Sequence, residues 1–415
     1  MNISNTKLDI NFVRSQFPAF NDPICKEWSF FENAGGSYVP KQVIDKLNEF
    51  MVSTKVQPYA NYPMAKTAGE NMDLATKLFS KMINANEKEI IIGGSTSINL
   101  YVLSNALKYK IKPGDEIIVT NQDHEANISP WRRLSEVGAK IIEWKINQET
   151  AELEIDKLKN LINDRTKIVA VTHCSNIVGS VNDLKTITEL AHEKNAIVIG
   201  DGVSYAPHGF PDVKELGVDF YTFSLYKTYG PHLALLYGKE EILKNLTNQN
   251  HEFLKNNYPY NINPGGPNHE ELVSLIGIYD YMMSLYKHHF NSPDLSIREK
   301  INKVNELISK YEEEIANPIL DFIFNHKDLN LIGRNKIVNK DRAPTISFTS
   351  KTKNSKEISN ILVNNKIATR NDNFYAWRCL KALKIDTDDG LVRLSLTHYN
   401  NKKDVKNVLN ALELI

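Results

Sequence analysis

Lys167-Ile-Val-Ala-Val-Thr172 and Ala196-Ile-Val-Ile-Gly200 flank the stretch Leu184–Lys194, and these residues decide the fold. Each flanking run is short, aliphatic and β-branched, as a strand buried on both faces requires. The stretch between them reads as a helix. Strand, helix and strand in succession argue for an α/β sheet that is mainly parallel.

Working outward, the same alternation spans about residues 85–240. Further strand-like runs are Glu89-Ile-Ile-Ile92, Glu116-Ile-Ile-Val119, Lys140-Ile-Ile142, Phe220-Tyr-Thr-Phe223 and Leu233-Ala-Leu-Leu-Tyr237, with another helix predicted at Ser97–Lys108. An Asn/Pro/Gly-rich segment, Asn256–Asn268, interrupts the pattern. A long helical stretch follows from Glu270 to about Phe324, with breaks predicted near Asn291-Ser-Pro293 and at Pro318. Strands (Thr345-Ile-Ser-Phe348, Val392-Arg-Leu-Ser395) and helices (Glu357–Asn364, Lys403–Leu414) then close the chain. At the other end, Asp9–Phe17 has helical spacing and stops at Pro18. Phe30-Phe31-Glu32 leads into the glycine turn Asn33-Ala34-Gly35-Gly36 and a helix from Lys41 to Met51. The expected division is an arm (1–30), a large α/β domain (31–285) and a smaller C-terminal α+β domain (286–415) against which the arm packs.

Composition excludes several function classes. The 415 residues carry 50 Lys+Arg against 50 Asp+Glu, so the formal charge is zero and there is no basic excess to favour nucleic acid or an anionic membrane. With 41 % hydrophobic and 24 % charged residues, the chain is long enough to bury a large core. Cys25, Cys174 and Cys379 are too few and too odd in number for a disulfide framework, which fits a reducing compartment. The N-terminal segment has no basic start followed by an apolar run, and no stretch approaches a membrane span, so a cytoplasmic protein is expected.

The candidate chemistry sits where strands end. In Phe220-Tyr-Thr-Phe-Ser-Leu-Tyr-Lys227-Thr-Tyr-Gly-Pro231, Ser224 and Tyr226 supply hydroxyls and Lys227 follows the strand on a loop. A lysine desolvated there becomes a nucleophile suited to a Schiff base, although a lone loop lysine is more often just exposed. Asp201, after Ala196–Gly200, could cap a helix, bind a metal or pair with a heterocyclic cation. Thr172 leads to His173-Cys174-Ser175-Asn176, and Thr120 leads shortly to Asp123-His124-Glu125. Gly93-Gly94-Ser95-Thr96-Ser97 opens a helix, and hydroxyls with free amides at a helix N-terminus suit a phosphate. It is not a Walker loop, for no Gly-Lys-Ser/Thr follows. Five polar clusters at five strand ends would converge on one rim.

These segments, in this order from about Phe30 to Asn400, resemble the class V aminotransferase family of pyridoxal 5'-phosphate (PLP) enzymes, in its branch of cysteine desulfurases, selenocysteine lyases and isopenicillin N epimerase. The resemblance implies a PLP-dependent transferase fold of type I, with a mainly parallel seven-stranded sheet, an amino-acid substrate and a homodimer. It implies that Lys227 holds PLP as an internal aldimine, that Asp201 pairs with the pyridinium nitrogen, and that His124 stacks on the ring. Asn176 would meet the ring oxygen. Gly94, Ser95, Thr96, Ser224 and Tyr226 would hold the phosphate, and Gly266 would reach the partner subunit's phosphate. Arg393 would take the substrate carboxylate, and the turn with Ala34 and Gly35 would close over the substrate. No metal is implied.

The chain departs from the family's pattern in places. Ser204 stands where many members have glutamine near the ring oxygen, Tyr226 where a histidine precedes the lysine, and Gly266 where a threonine is usual. Cysteine desulfurases carry a mobile-loop cysteine; the matching stretch here, Thr369-Arg-Asn-Asp-Asn-Phe-Tyr-Ala376, has none. Cys379 shares a helical face with Ala376, Leu380 and Leu383 and reads as a core residue, and Cys174 as packed beneath the site. A C–S or C–Se lyase is the expected activity, with aminotransferase, epimerase or decarboxylating chemistry as alternatives. Persulfide transfer to an acceptor protein is not expected.

Overall fold

The computed structural model describes residues 6–415. Its centre is a seven-stranded sheet made of β1 (Ile90–Gly93), β2 (Glu116–Thr120), β3 (Lys140–Trp144), β4 (Thr166–Thr172), β5 (Ile197–Asp201), β6 (Phe220–Ser224) and β7 (Ala234–Gly238). The strand order is β1-β7-β6-β5-β4-β2-β3. β7 runs antiparallel to both of its neighbours, and every other pairing is parallel. All seven strand-like runs of the sequence are strands here.

Alternate residues of each strand enter opposite cores, as a period of two demands. Ile118, Val169, Val171, Val198 and Phe223 pack into one apolar cluster; Ile117, Val119, Ile168, Ala170, Ile199 and Phe220 pack into the other. Helices cover both faces. Leu184–His192 starts on Asp183, whose carboxylate accepts from Thr186 N, and Thr96–Lys108 starts on Ser95, whose hydroxyl accepts from Ile98 N.

The parallel strands end level with one another. Thr172 pairs with Asp201, and Asp201 with Thr222, so whatever follows these residues emerges at one edge. That alignment positions the site.

The rest of the chain forms a four-stranded antiparallel sheet, in the order Arg370–Asp372, Leu391–Ser395, Thr345–Ser350, Leu329–Leu331. Near the N-terminus, Ser29–Phe30 pairs with Ile367–Ala368 in parallel. The predicted break at Pro318 is corrected: Ile297–Asn325 is one helix with Pro318 inside it. A proline removes a single N–H bond, and Ile315, Ile319, Leu320 and Ile323, all buried around it, carry the helix through. The break near Pro293 is real, between helices Ile276–His289 and Ile297–Asn325. No described helix is long and apolar enough to cross a membrane.

Candidate active site

A cavity of about 260 Å³ opens at the carboxyl edge of the parallel strands. Ser95, Thr96, His124, Asn176, Asp201, Ser204, Ser224, Tyr226 and Lys227 all line it. Four strand-to-loop junctions and a helix start therefore meet in one space.

At one end lies the N-terminus of Thr96–Lys108, where Thr96 Oγ1 and Ser224 Oγ are 2.9 Å apart. Ser95 lies half-buried beside them and Gly94 is exposed. At the floor, Asp201 is buried and accepts one backbone bond, from Val203 N at 2.9 Å. Burial pushes its pKa up to about 6. Gly202 is needed next to it, because a Cβ there would lie 2.1 Å from the Tyr221 hydroxyl. That hydroxyl bonds His173 Nδ1 at 2.7 Å, a buried support under the strand end.

Lys227 is half-buried. Desolvation, reinforced by the charge of Arg393, draws its pKa down to about 8. His124 is neutral: burial, then Lys227 and Arg393, hold its pKa near about 3. Its Nδ1 accepts from Ala126 N at 3.1 Å, which places the ring proton on Nε2.

Other predicted residues lie around the cavity. Ala34 lines a small adjoining recess together with Lys227 and Ser204. Arg393 is buried, with Nη1 on Asn176 O at 3.3 Å and Nη2 on Glu32 Oε1 at 3.1 Å. Gly35 sits against that same Glu32 carboxylate. Gly266 stands apart; it lines a separate cavity of about 530 Å³ with Tyr59, Lys88 and Tyr260.

Glu32 and His232 were not singled out by sequence reasoning, and Phe374 and Tyr375 only as part of a loop, Asn371–Tyr375, expected to contact the substrate. The Phe374 ring lies 3.8 Å from the Arg393 guanidinium carbon, and its carbonyl accepts from Asn176 Nδ2 at 2.9 Å. Tyr375 stacks on His124 at 5.2 Å between ring centroids, and its carbonyl accepts from Glu125 N at 2.8 Å. Arg378 Nε then pairs with Glu125 Oε1 at 2.7 Å. Both aromatic residues have positive φ, 50° and 59°, so the strap bends sharply to reach these partners. His232 joins the cavity wall beside Tyr226. One signal for Glu32 was present: an acid directly before a glycine turn.

The sequence model of the class V aminotransferases matches residues 29–408. The chain belongs to this family. An aminotransferase-like protein of Gibberella zeae is 33 % identical over the whole of both chains. A probable cysteine desulfurase of Halalkalibacterium halodurans is 27 % identical over 92 % of each chain. Among solved structures, a cysteine desulfurase of Thermococcus onnurineus superposes with a TM-score of 0.84 at 22 % identity, covering 99 % of this chain and 98 % of that one. One from Escherichia coli gives 0.82 at 23 %, with 98 % of each chain covered. Both share the type I fold.

Class V aminotransferases are PLP-dependent enzymes, and this chain is one of them. The residues present fit that cofactor. Asp201 is a buried carboxylate with one neutral donor, short of the cation that a protonated ring nitrogen brings. The hydroxyls of Thr96 and Ser224 and the start of a 13-residue helix suit a phosphate. Buried Asn176 Oδ1 has no partner, and the second N–H of its amide remains after the bond to Phe374.

Proposed function

We propose that this chain is a lyase of C–S or C–Se bonds that acts on a cysteine-like amino acid without a protein thiol. In this reading Lys227 holds PLP covalently, Asp201 keeps the ring nitrogen protonated, and His124 covers one ring face while Tyr375 covers the histidine's other face. Ser95, Thr96, Ser224, Tyr226 and the Gly94 backbone hold the phosphate, and Ser204 faces the ring oxygen with Asn176. Arg393 takes the α-carboxylate, with Ala34 and Gly35 over the substrate. PLP, when bound, supplies an electron sink that acidifies the substrate Cα–H. With a pKa near about 8, the Lys227 amine is well placed to take that proton and return it. Exposed Gly266 would meet a second copy of the chain, so the working unit is a homodimer. Residues 31–285 form the cofactor domain and 286–415 the small domain, with residues 6–30 of the arm against it and residues 1–5 outside the described residues, in a cytoplasmic enzyme.

The observation that carries the thiol-free route is the strap. Phe374 and Tyr375 lie over Arg393 and His124, in the stretch where desulfurases carry their cysteine. Two of the three thiols are buried, Cys379 in the apolar core and Cys174 with its Sγ donating to Gly179 O at 3.4 Å, and burial pushes both up to about 12. Neither is a thiolate at neutral pH. Sulfur must then leave directly from Cβ: L-cysteine and water give sulfide, pyruvate and ammonia.

A second reading is favoured by the 33 % relative named aminotransferase-like: transamination, epimerisation or decarboxylation at the same Cα. The test is the PLP-loaded protein with L-cysteine. Sulfide and pyruvate in equal amounts support elimination. Alanine with sulfur left on the protein would overturn the thiol-free route. A keto acid with sulfur retained, exchange of the α-proton alone, or carbon dioxide would each select a member of the second reading.

A further inference from the structure

Glu32 has no part in the chemistry above, yet its carboxylate sits on the residue assigned to the substrate carboxylate. Oε1 is 3.1 Å from Arg393 Nη2 and 3.4 Å from Arg370 Nε. Two guanidinium groups around one carboxylate oxygen make a carboxylate seat, and Glu32 fills it. The seat is built into the backbone. Glu32 bridges in parallel to Ser395, two residues beyond Arg393. Its side chain also folds back over its own turn, where a Cβ on Gly35 would lie 2.4 Å from Oε1. A glycine at that position leaves the carboxylate its room.

The seat is also unfinished. Glu32 Oε2 and Arg393 Nε are buried without partners, so the pair is not the bidentate clasp that arginine and carboxylate form when nothing else competes. Arg370 is half exposed and also holds Asp372 at 3.3 Å, so two arginines face two acids. An incoming carboxylate finds no net positive charge to add to; it must take the place of one already there.

We propose that Glu32 is a specificity-determining residue, a resident carboxylate that a substrate's α-carboxylate displaces from Arg393 and that then rests on Arg370. This rests on the reading of Arg393 as the carboxylate anchor. The exchange makes binding of any α-carboxylate weaker than Arg393 alone would give, and leaves an amine without a carboxylate unaffected.

The test titrates the PLP-loaded protein with L-alanine and with ethylamine, following the visible cofactor spectrum. Glu32→Gln removes the competing charge and keeps the shape, and should bind L-alanine about tenfold tighter with ethylamine unchanged. Gly35→Ala, which pushes the carboxylate off its seat, should move L-alanine the same way. Arg370→Gln, which removes the resting place, should bind L-alanine more weakly. A Glu32→Gln protein that binds L-alanine no tighter than the parent, or binds it too weakly to detect in both, overturns the exchange; Glu32 would then only orient Arg393. Arg393→Gln separates the two ideas: if it binds L-alanine as the parent does, the anchor reading itself fails.

Discussion

The floor of the site and its outer wall are built in different ways. The floor is made by strands of one sheet that end in register, Thr172 beside Asp201 beside Thr222, with each polar group only a few residues past an apolar run. The wall brings together Glu32, Arg370, Phe374 and Arg393, segments up to 361 residues apart, joined by side-chain contacts. Backbone pairing alone aligns the floor; in the wall, pairing sets Arg370 opposite Arg393 and bridges Glu32 to Ser395, and charge pairs and ring contacts then join the side chains. In the proposed reading the floor fixes the cofactor, and a wall of this kind is where relatives with one cofactor can differ in substrate.

The sharpest test of the comparison is Lys227→Ala. If the floor does the chemistry, activity should fall by about a thousandfold or more, and the visible absorbance of lysine-bound PLP should disappear. Survival of either would break the assignment of floor and wall together.

The pH dependence sharpens the same point. An ordinary lysine titrates at 10.5; burial and Arg393 disfavour the ammonium form of Lys227 and bring it to about 8. The neutral amine, which in the proposed reading captures PLP, therefore accumulates as pH rises through about 8, so the rate of PLP capture by the cofactor-free protein should climb there and level above it. The same shift costs the cofactor-free protein stability below pH 8, a cost that fades as pH approaches 10.5. His124, held near about 3, is neutral throughout and should add no limb near 6.5. A limb at that pH, lost in His124→Asn, would show an exposed and chargeable imidazole.

The floor was legible because its signals are local. An apolar run, then Asp201; an apolar run, then Ser224 and Lys227; Ser95 at a helix start: each is read within ten residues. The wall was legible only in part. Arg393 stood out as a residue type in a motif, but its contact with Glu32 depends on how the N-terminal segment lies along Leu391–Ser395, and no spacing in the chain encodes that. Phe374 and Tyr375 drew notice for the thiol they lack, not for the rings they place. Pro318 misled because a rule about isolated helices ignores the packing that holds a long one together.

Within the strap, two neighbouring rings should behave differently. Phe374 is 2 % exposed and Tyr375 64 %. Phe374→Ala removes a buried ring and uncovers Arg393, and should cost about 3 kcal/mol in a melting experiment. Tyr375→Ala should cost less than about 1 kcal/mol, since its ring covers only the His124 face. Equal costs would mean that the strap is held by its backbone bonds to Asn176 and Glu125 alone.

The smallest effect on activity is expected at Cys379. Its thiol is buried, lies next in sequence to buried Leu380, and is pushed up to about 12 by desolvation. A thiol in that state is packing rather than nucleophile. Cys379→Ala should leave product release from L-cysteine within about twofold and cost about 1 kcal/mol of stability, the price of one small void. If release instead vanished while the melting temperature barely moved, the thiol would have to come out of the core to reach the substrate. The helix Trp377–Ala382 would then have to unwind during turnover. The strap would in that case be a moving part, and the contrast between a rigid floor and an adaptable wall would extend beneath Phe374 into the core.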